Sequence, residues 1–115
     1  MATYAYKSIN AALTTTADDG VSNSILTVPS GKQHVILLCQ VSNVDGTDAA
    51  DLSIDYYDSS ATSAKAISST IAIPADSSFN PIGGKLIMEA SDELRAWASA
   101  DNDLEIVVSY IEVTP

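Results

Sequence analysis

The stretch GGKLIMEASDELRAWASADNDLEIVVSYIEV, residues 83–113, decides the fold class. Leu86 and Met88 alternate with Lys85, Ile87 and Glu89. Leu94, Ala96 and Ala98 alternate with Glu93, Arg95, Trp97 and Ser99, and Leu104, Ile106, Val108 and Tyr110 with Glu105, Val107, Ser109 and Ile111. Successive side chains of a strand point to opposite faces, so alternation of period two marks half-buried strands. Ser-Asp and Asp-Asn-Asp interrupt it as turns, and the stretch reads as three strands with two turns.

Working outward, the same grammar covers the chain. No segment carries a helical period of useful length, and turn chemistry cuts the sequence about every eight to twelve residues, as in a sandwich or barrel. Eight strands are expected. The first spans residues 4–14 and the second 22–28. Pro29-Ser30-Gly31 forms a turn before the third strand, residues 33–43, the most apolar and therefore central. Strict alternation there puts Val35, Leu37, Cys39 and Val41 on one face and Ile36 and Leu38 on the other. After an Asp45-Gly46-Thr47-Asp48 turn, the fourth strand, residues 50–57, turns Leu52, Ile54 and Tyr56 inward. A Ser-rich loop over residues 58–63 precedes the fifth strand, residues 65–73, which stops at Pro74 because proline cannot donate to a ladder. A loop over residues 75–84 leads into the three final strands.

These strands predict an all-β, two-sheet antiparallel sandwich of the jelly-roll kind, since a sheet with one apolar face buries it against another. An immunoglobulin-like sandwich is the alternative, but its Cys…Trp…Cys signature is missing. The 115 residues are read as a single domain, residues 1–115, with residues 1–15 an N-terminal arm or an edge strand.

Fifteen acidic against five basic residues leave a net charge of −10, which opposes binding to nucleic acid or to an anionic membrane. The acids sit mostly in turns, at Asp18, Asp19, Asp45, Asp48, Asp58, Asp76, Asp92, Asp101 and Asp103, as a solvated surface or one complementary to a basic partner. The start MATYAYKSIN lacks a basic patch followed by an apolar run, and no run reaches the ~18 residues of a membrane helix, so a soluble protein made in the cytoplasm is expected. The single cysteine, Cys39, lies in an apolar run and reads as a buried hydrophobe.

Little points to chemistry. His34 is the one histidine and opens the central strand, whereas a Ser-His-Asp site needs an exposed His backed by a carboxylate. No nucleophile elbow, zinc-protease, P-loop or dinucleotide motif occurs. Asp45/Asp48 and Asp101/Asp103 offer two carboxylates each, short of the six to eight oxygens of Ca²⁺. No catalytic residue, metal site or cofactor is expected. Contact residues are easier to find. Trp97 falls on the outer face beside Arg95, a pairing typical of binding hot spots; the competing readings are a shifted register, or an N-terminal segment that covers Trp97 within the monomer. Val107, Ile111 and Ile87 extend an outer apolar stripe with Trp97, and Tyr4 and Tyr6 alternate on the N-terminal segment. The interface candidates are Tyr4, Tyr6, Ile87, Arg95, Trp97, Val107 and Ile111.

VPSGKQHVILLCQVSN (residues 28–43), IPADSS (73–78) and residues 83–112 together resemble the small β-sandwich virion proteins of tailed bacteriophages, over about half of the chain. Ser91 stands where that pattern often has glycine. The resemblance implies a non-enzymatic structural protein that cements or decorates the capsid exterior of a virion, after synthesis in the host cytoplasm. It would contact the major capsid protein or another virion protein and form a dimer or trimer of itself. A neck- or tail-associated component is the nearest alternative. A host-surface binding module, carbohydrate- or calcium-dependent, is the alternative from another class.

Overall fold

The computed structural model describes residues 1–16, 20 and 22–115; Asp18 and Asp19 of the expected acidic turns lie outside the described residues. Among the described residues nine strands are present: β1 (Thr3–Ala12), β2 (Ser24–Thr27), β3 (Gln33–Asn43), β4 (Ala50–Asp58), β5 (Ser63–Ile73), β6 (Ser78–Phe79), β7 (Leu86–Met88), β8 (Glu93–Ala98) and β9 (Leu104–Thr114). They form two antiparallel sheets in a body of about 50 × 26 × 20 Å. One has the order β1-β9-β3-β6, with β7 also on β3; the other has the order β2-β8-β4-β5. β6 and β7 share one position beside β3, pairing with Val41–Ser42 and with residues 34–36 respectively. Counted as one strand, they make an eight-position double sheet in which the chain repeatedly crosses from one sheet to the other, as in a jelly roll.

The inward positions read from the alternation of β7, β8 and β9 are the ones that pack: Met88, Leu94, Ala96, Ala98, Leu104, Ile106 and Val108 are buried, joined by Leu52, Ile54 and Ile73. Leu13, just after β1, closes one end of this core, its N–H bonded to the Leu104 carbonyl at 2.8 Å. Cys39 is fully buried, and desolvation pushes its thiol up to about 12, which keeps it an uncharged core residue.

Four sequence expectations change. First, β7, β8 and β9 are not neighbours: β7 and β9 flank β3 in one sheet while β8 lies between β2 and β4 in the other. Second, β3 does not alternate throughout. Its pairing with β9 shifts between Ile36 and Leu38, so Leu37 is an extra residue in a β-bulge. Ile36 is therefore buried before the bulge and Cys39 and Val41 after it, while Leu37 and Leu38 are both exposed. Third, the Ser-rich segment is a tight hairpin: the Thr62 N–H reaches the Ser59 carbonyl at 3.3 Å, and Ser59 is anchored on Asp92. Fourth, the expected loop over residues 75–84 contains β6.

Turn chemistry behaves as its residues require. Gly31 takes φ = 76° in the turn where Lys32 N–H bonds the Pro29 carbonyl. Ser91 takes φ = 69° in the β7–β8 turn, closed by Asp92 N–H on the Glu89 carbonyl. Pro74 follows β5, an edge strand, where its missing N–H breaks no ladder.

Candidate functional site

The antiparallel registers assemble one surface that no single segment displays. Tyr6 lies opposite Ile111, Ile111 opposite Val35, and Val35 opposite Ile87, a cross-strand row running over β1, β9, β3 and β7. Beside it Tyr4 lies opposite Val113, and Leu37 and Leu38 add their side chains at the bulge. Ile36, Met88, Tyr110 and Glu112 alternate with these residues and are buried, so the row is on the outer face of the five-stranded sheet. Tyr4 is 68% exposed, Tyr6 80% and Ile87 64%. Between the Tyr4–Val113 and Asn10–Val107 pairs, the outward positions of β1 and β9 are Tyr, Ser, Asn, Ile and Val, without a charge.

Five of the seven interface candidates, Tyr4, Tyr6, Ile87, Val107 and Ile111, lie on this face. Arg95 and Trp97 do not: they lie on β8, in the other sheet, so the stripe expected to join Trp97 to Val107, Ile111 and Ile87 is split between opposite sides of the sandwich. The Arg95 guanidinium is packed into the fold. It stacks 4.1 Å over the Tyr57 ring, its Nε donates to Glu93 Oε1 at 3.2 Å, and a Cβ at Gly20 would stand 2.7 Å from its Nη2. Trp97 is half-buried opposite Ser53. The N-terminal segment does run beside it, with the Thr14 carbonyl accepting from Ala98 N–H at 2.8 Å. Alternation puts Val35 and Leu37 on the face of Cys39 and Val41, and Leu38 with Ile36 on the other; the structure leaves Val35 half-buried and exposes Leu37 and Leu38 together, and the signal for this is the adjacent Leu37-Leu38 pair, which strict alternation cannot place on one side.

His34 is buried and takes no part in a nucleophile–base pair. Its Nε2 meets Glu112 Oε2 at 3.0 Å, its ring packs 4.5 Å from that of Tyr110, and Nδ1 has no hydrogen-bond partner among the described residues. Lys7 Nζ and Lys32 Nζ donate to Glu112 Oε1 at 3.0 and 3.2 Å. The hydrogen bonds with His34 and Lys7 outweigh burial and hold the Glu112 carboxyl down at about 2. The same contact raises the Lys7 ammonium above its usual value. This cluster ties β1 and the Pro29–Lys32 turn to β3 and β9, a structural task.

A second buried carboxylate, Asp92, clamps the β4–β5 hairpin. It accepts from Tyr56 OH, from Ser59 N–H at 2.9 Å, from Ser59 Oγ at 3.1 Å and from Glu89 N–H at 2.9 Å. Burial pushes its carboxyl up, but these four donors together bring it below the usual range. The Tyr56 phenol is pushed up by burial and by the Asp92 carboxylate it donates to.

The fold brings the Asp45–Asp48 turn beside Asp103. Burial first, then the neighbouring Asp45 carboxylate, raises the Asp103 carboxyl. Asp45 is meanwhile occupied in its own turn, accepting from Thr47 N–H at 2.8 Å. Among the described residues no group of three or more His, Cys, Asp or Glu is arranged to hold a metal ion.

The sandwich resembles solved structural proteins. No family model and no curated protein matches the sequence. A chain from Bacillus endospore appendages, described as a family of disulfide-linked pili, superposes with a TM-score of 0.55 at 16% identity, over 98% of this chain and 88% of that one. A chain of the infectious bursal disease virus particle superposes with a TM-score of 0.52 at 9% identity, over 96% of this chain but only 30% of the viral one. At these identities the likeness is one of fold. No helix among the described residues is long and apolar enough to cross a membrane.

Proposed function

We propose that this chain is a non-enzymatic structural subunit of a virion, of the kind that cements or decorates the capsid exterior, and that it works as a self-associated unit. The observation that carries the reading is the uncharged apolar row Tyr6–Ile111–Val35–Ile87 on the outside of a chain of net charge −10. A monomer gains nothing from keeping such a row in water. The fold likeness to a pilus chain and to a viral particle chain agrees with assembly, and the resemblance to phage virion proteins points to the particle.

The occupant of the face is a second copy. A partner selected by charge would meet carboxylates, and the β1–β9 part of this face has none between Tyr4 and Asn10, although Lys85 and Glu89 flank Ile87 at its far edge. Eight residues at about 3.4 Å each on β1, β9 and β3, with strands about 4.8 Å apart, and the three residues of β7 give roughly 440 Å² in projection. Even with side-chain relief this lies below the ~800 Å² per partner of a standard interface, at the small end of specific contacts. A two-fold axis parallel to the strands sets the tyrosines at one edge of the row over the aliphatic side chains at the other, a self-complementary contact. The acidic turns at the ends of the sandwich stay outside it and are left to face a basic neighbour in the particle.

Sedimentation velocity tests this. The protein is expected to associate, and to do so more tightly as salt screens the repulsion between two acidic copies. Tyr6→Asp together with Ile87→Asp is expected to give a monomer that keeps the wild-type far-UV circular dichroism and lacks the concentration-dependent rise in melting temperature of an associating wild type. A wild-type protein that stays monomeric at about 100 µM in high salt overturns the self-association. Electron micrographs of particles with and without the protein test its place on the capsid exterior; an unchanged exterior overturns that.

A further inference from the structure

The four-stranded sheet carries a different feature, independent of the apolar face. Its outer surface is dented at Trp97 by a pocket of about 270 Å³. The dent follows from a local irregularity. The β4–β5 pairing shifts register between Leu52 and Ile54, which leaves Ser53 out of the ladder. Thr70 on β5 takes φ = 48°, a left-handed conformation that a β-branched residue adopts only when its surroundings impose it. Its N–H is held at 3.1 Å by the Ser53 hydroxyl, and Ser53 lies directly opposite Trp97. Thr15 and Ser99 complete the rim, with Asp51 beside them.

We propose that this pocket binds one neutral sugar ring, stacked on Trp97 and hydrogen-bonded through Asp51. The lining chemistry selects the class. Among the described lining residues there is no lysine, arginine or histidine, so an anion finds no counter-charge among them. Asp51 is the one carboxylate among the described lining residues, too few for a calcium site. The volume falls below the roughly 300–1,000 Å³ of sites for larger organic ligands. What remains is an aromatic face that takes the C–H side of a pyranose, a carboxylate that accepts from its hydroxyls, and threonine and serine hydroxyls that can donate or accept. Such a site would add a surface-adhesion function to a structural subunit.

Trp97 is the sole tryptophan, so it reports on the site directly. The test follows its emission and its indole N–H resonance while methyl glucosides, galactosides and mannosides and N-acetylglucosamine are titrated. At least one is expected to saturate with a dissociation constant of about 1–10 mM, ordinary for a ligand of a dozen heavy atoms. Asp51→Asn is expected to weaken that binding tenfold or more with the melting temperature unchanged. The proposal is overturned if no sugar in the panel moves the indole resonance of the wild-type protein at about 100 mM, if glycerol at equal hydroxyl concentration moves it as far, or if Asp51→Asn binds as tightly as wild type. Failure here leaves the association on the opposite sheet untouched, because the two surfaces share no residue.

Discussion

At the scale of single residues, two positions set measurable properties. Glu112 is a carboxylate on the inward side of β9, held by His34, Lys7 and Lys32. Its folded carboxyl lies near 2 against an ordinary 4.5, so its contribution to stability is full above the ordinary value and is lost as pH falls toward the folded one. Melting temperature is expected to drop through that window, and Glu112→Gln is expected to lower stability at neutral pH while flattening the acid dependence. Lys7 works in the opposite sense: its raised value means that its contribution is complete below the ordinary 10.5 and disappears as pH climbs through the folded value. Ser91 carries φ = 69° with an exposed side chain. A left-handed conformation costs a non-glycine residue roughly 1–2 kcal/mol, offset in part because glycine loses more freedom on folding, so Ser91→Gly should raise unfolding free energy by about 1 kcal/mol in urea titrations. Alternation alone assigns Glu112 to the inner face with Tyr110. That Lys7 and His34 would meet it was not legible, because they are distant in sequence and reach it only through two strand pairings.

At the scale of elements, the β4–β5 hairpin depends on Asp92, a residue read from sequence only as part of an acidic turn. Its buried carboxylate has four donors, and Tyr56→Phe removes one while leaving the ring in place. A cost of about 1–3 kcal/mol is expected by urea denaturation, because the remaining charge stays buried with one bond fewer. β3 shows why a local pattern misassigned some faces. Its apolar run was read with one uninterrupted period, but the bulge at Leu37 resets the phase, so Val35 and Leu37 leave the core side and Ile36 joins it. An extra residue in one strand is defined only against its partner, and β9 lies far away along the chain. By contrast, β8 and β9 have no such shift in their pairing with β4 and β1, and their inward residues were readable one by one.

At the scale of the whole molecule, the sandwich has two unlike exteriors: an uncharged apolar row over the five-stranded sheet, and a dented, polar surface around Trp97 on the other. The first makes an ionic-strength prediction of definite sign. Association through it should strengthen with salt, whereas contact of the acidic turns with a basic neighbour should weaken, and light scattering and particle binding across a salt series separate the two. The sequence by itself determined that the chain is all-β, which side of most strands faces the core, where most turns fall, and that Cys39 is buried. Those properties are local, set by side-chain period and by the backbone preferences of Pro, Gly, Asn and Asp. Only the tertiary structure decided which sheet each strand enters. Alternation is the same in either sheet, so nothing in residues 83–113 reveals that β8 joins the opposite sheet from β7 and β9. That choice is made by long-range pairing, and it puts Trp97 and Arg95 on one side of the molecule and Tyr4, Tyr6, Ile87, Val107 and Ile111 on the other.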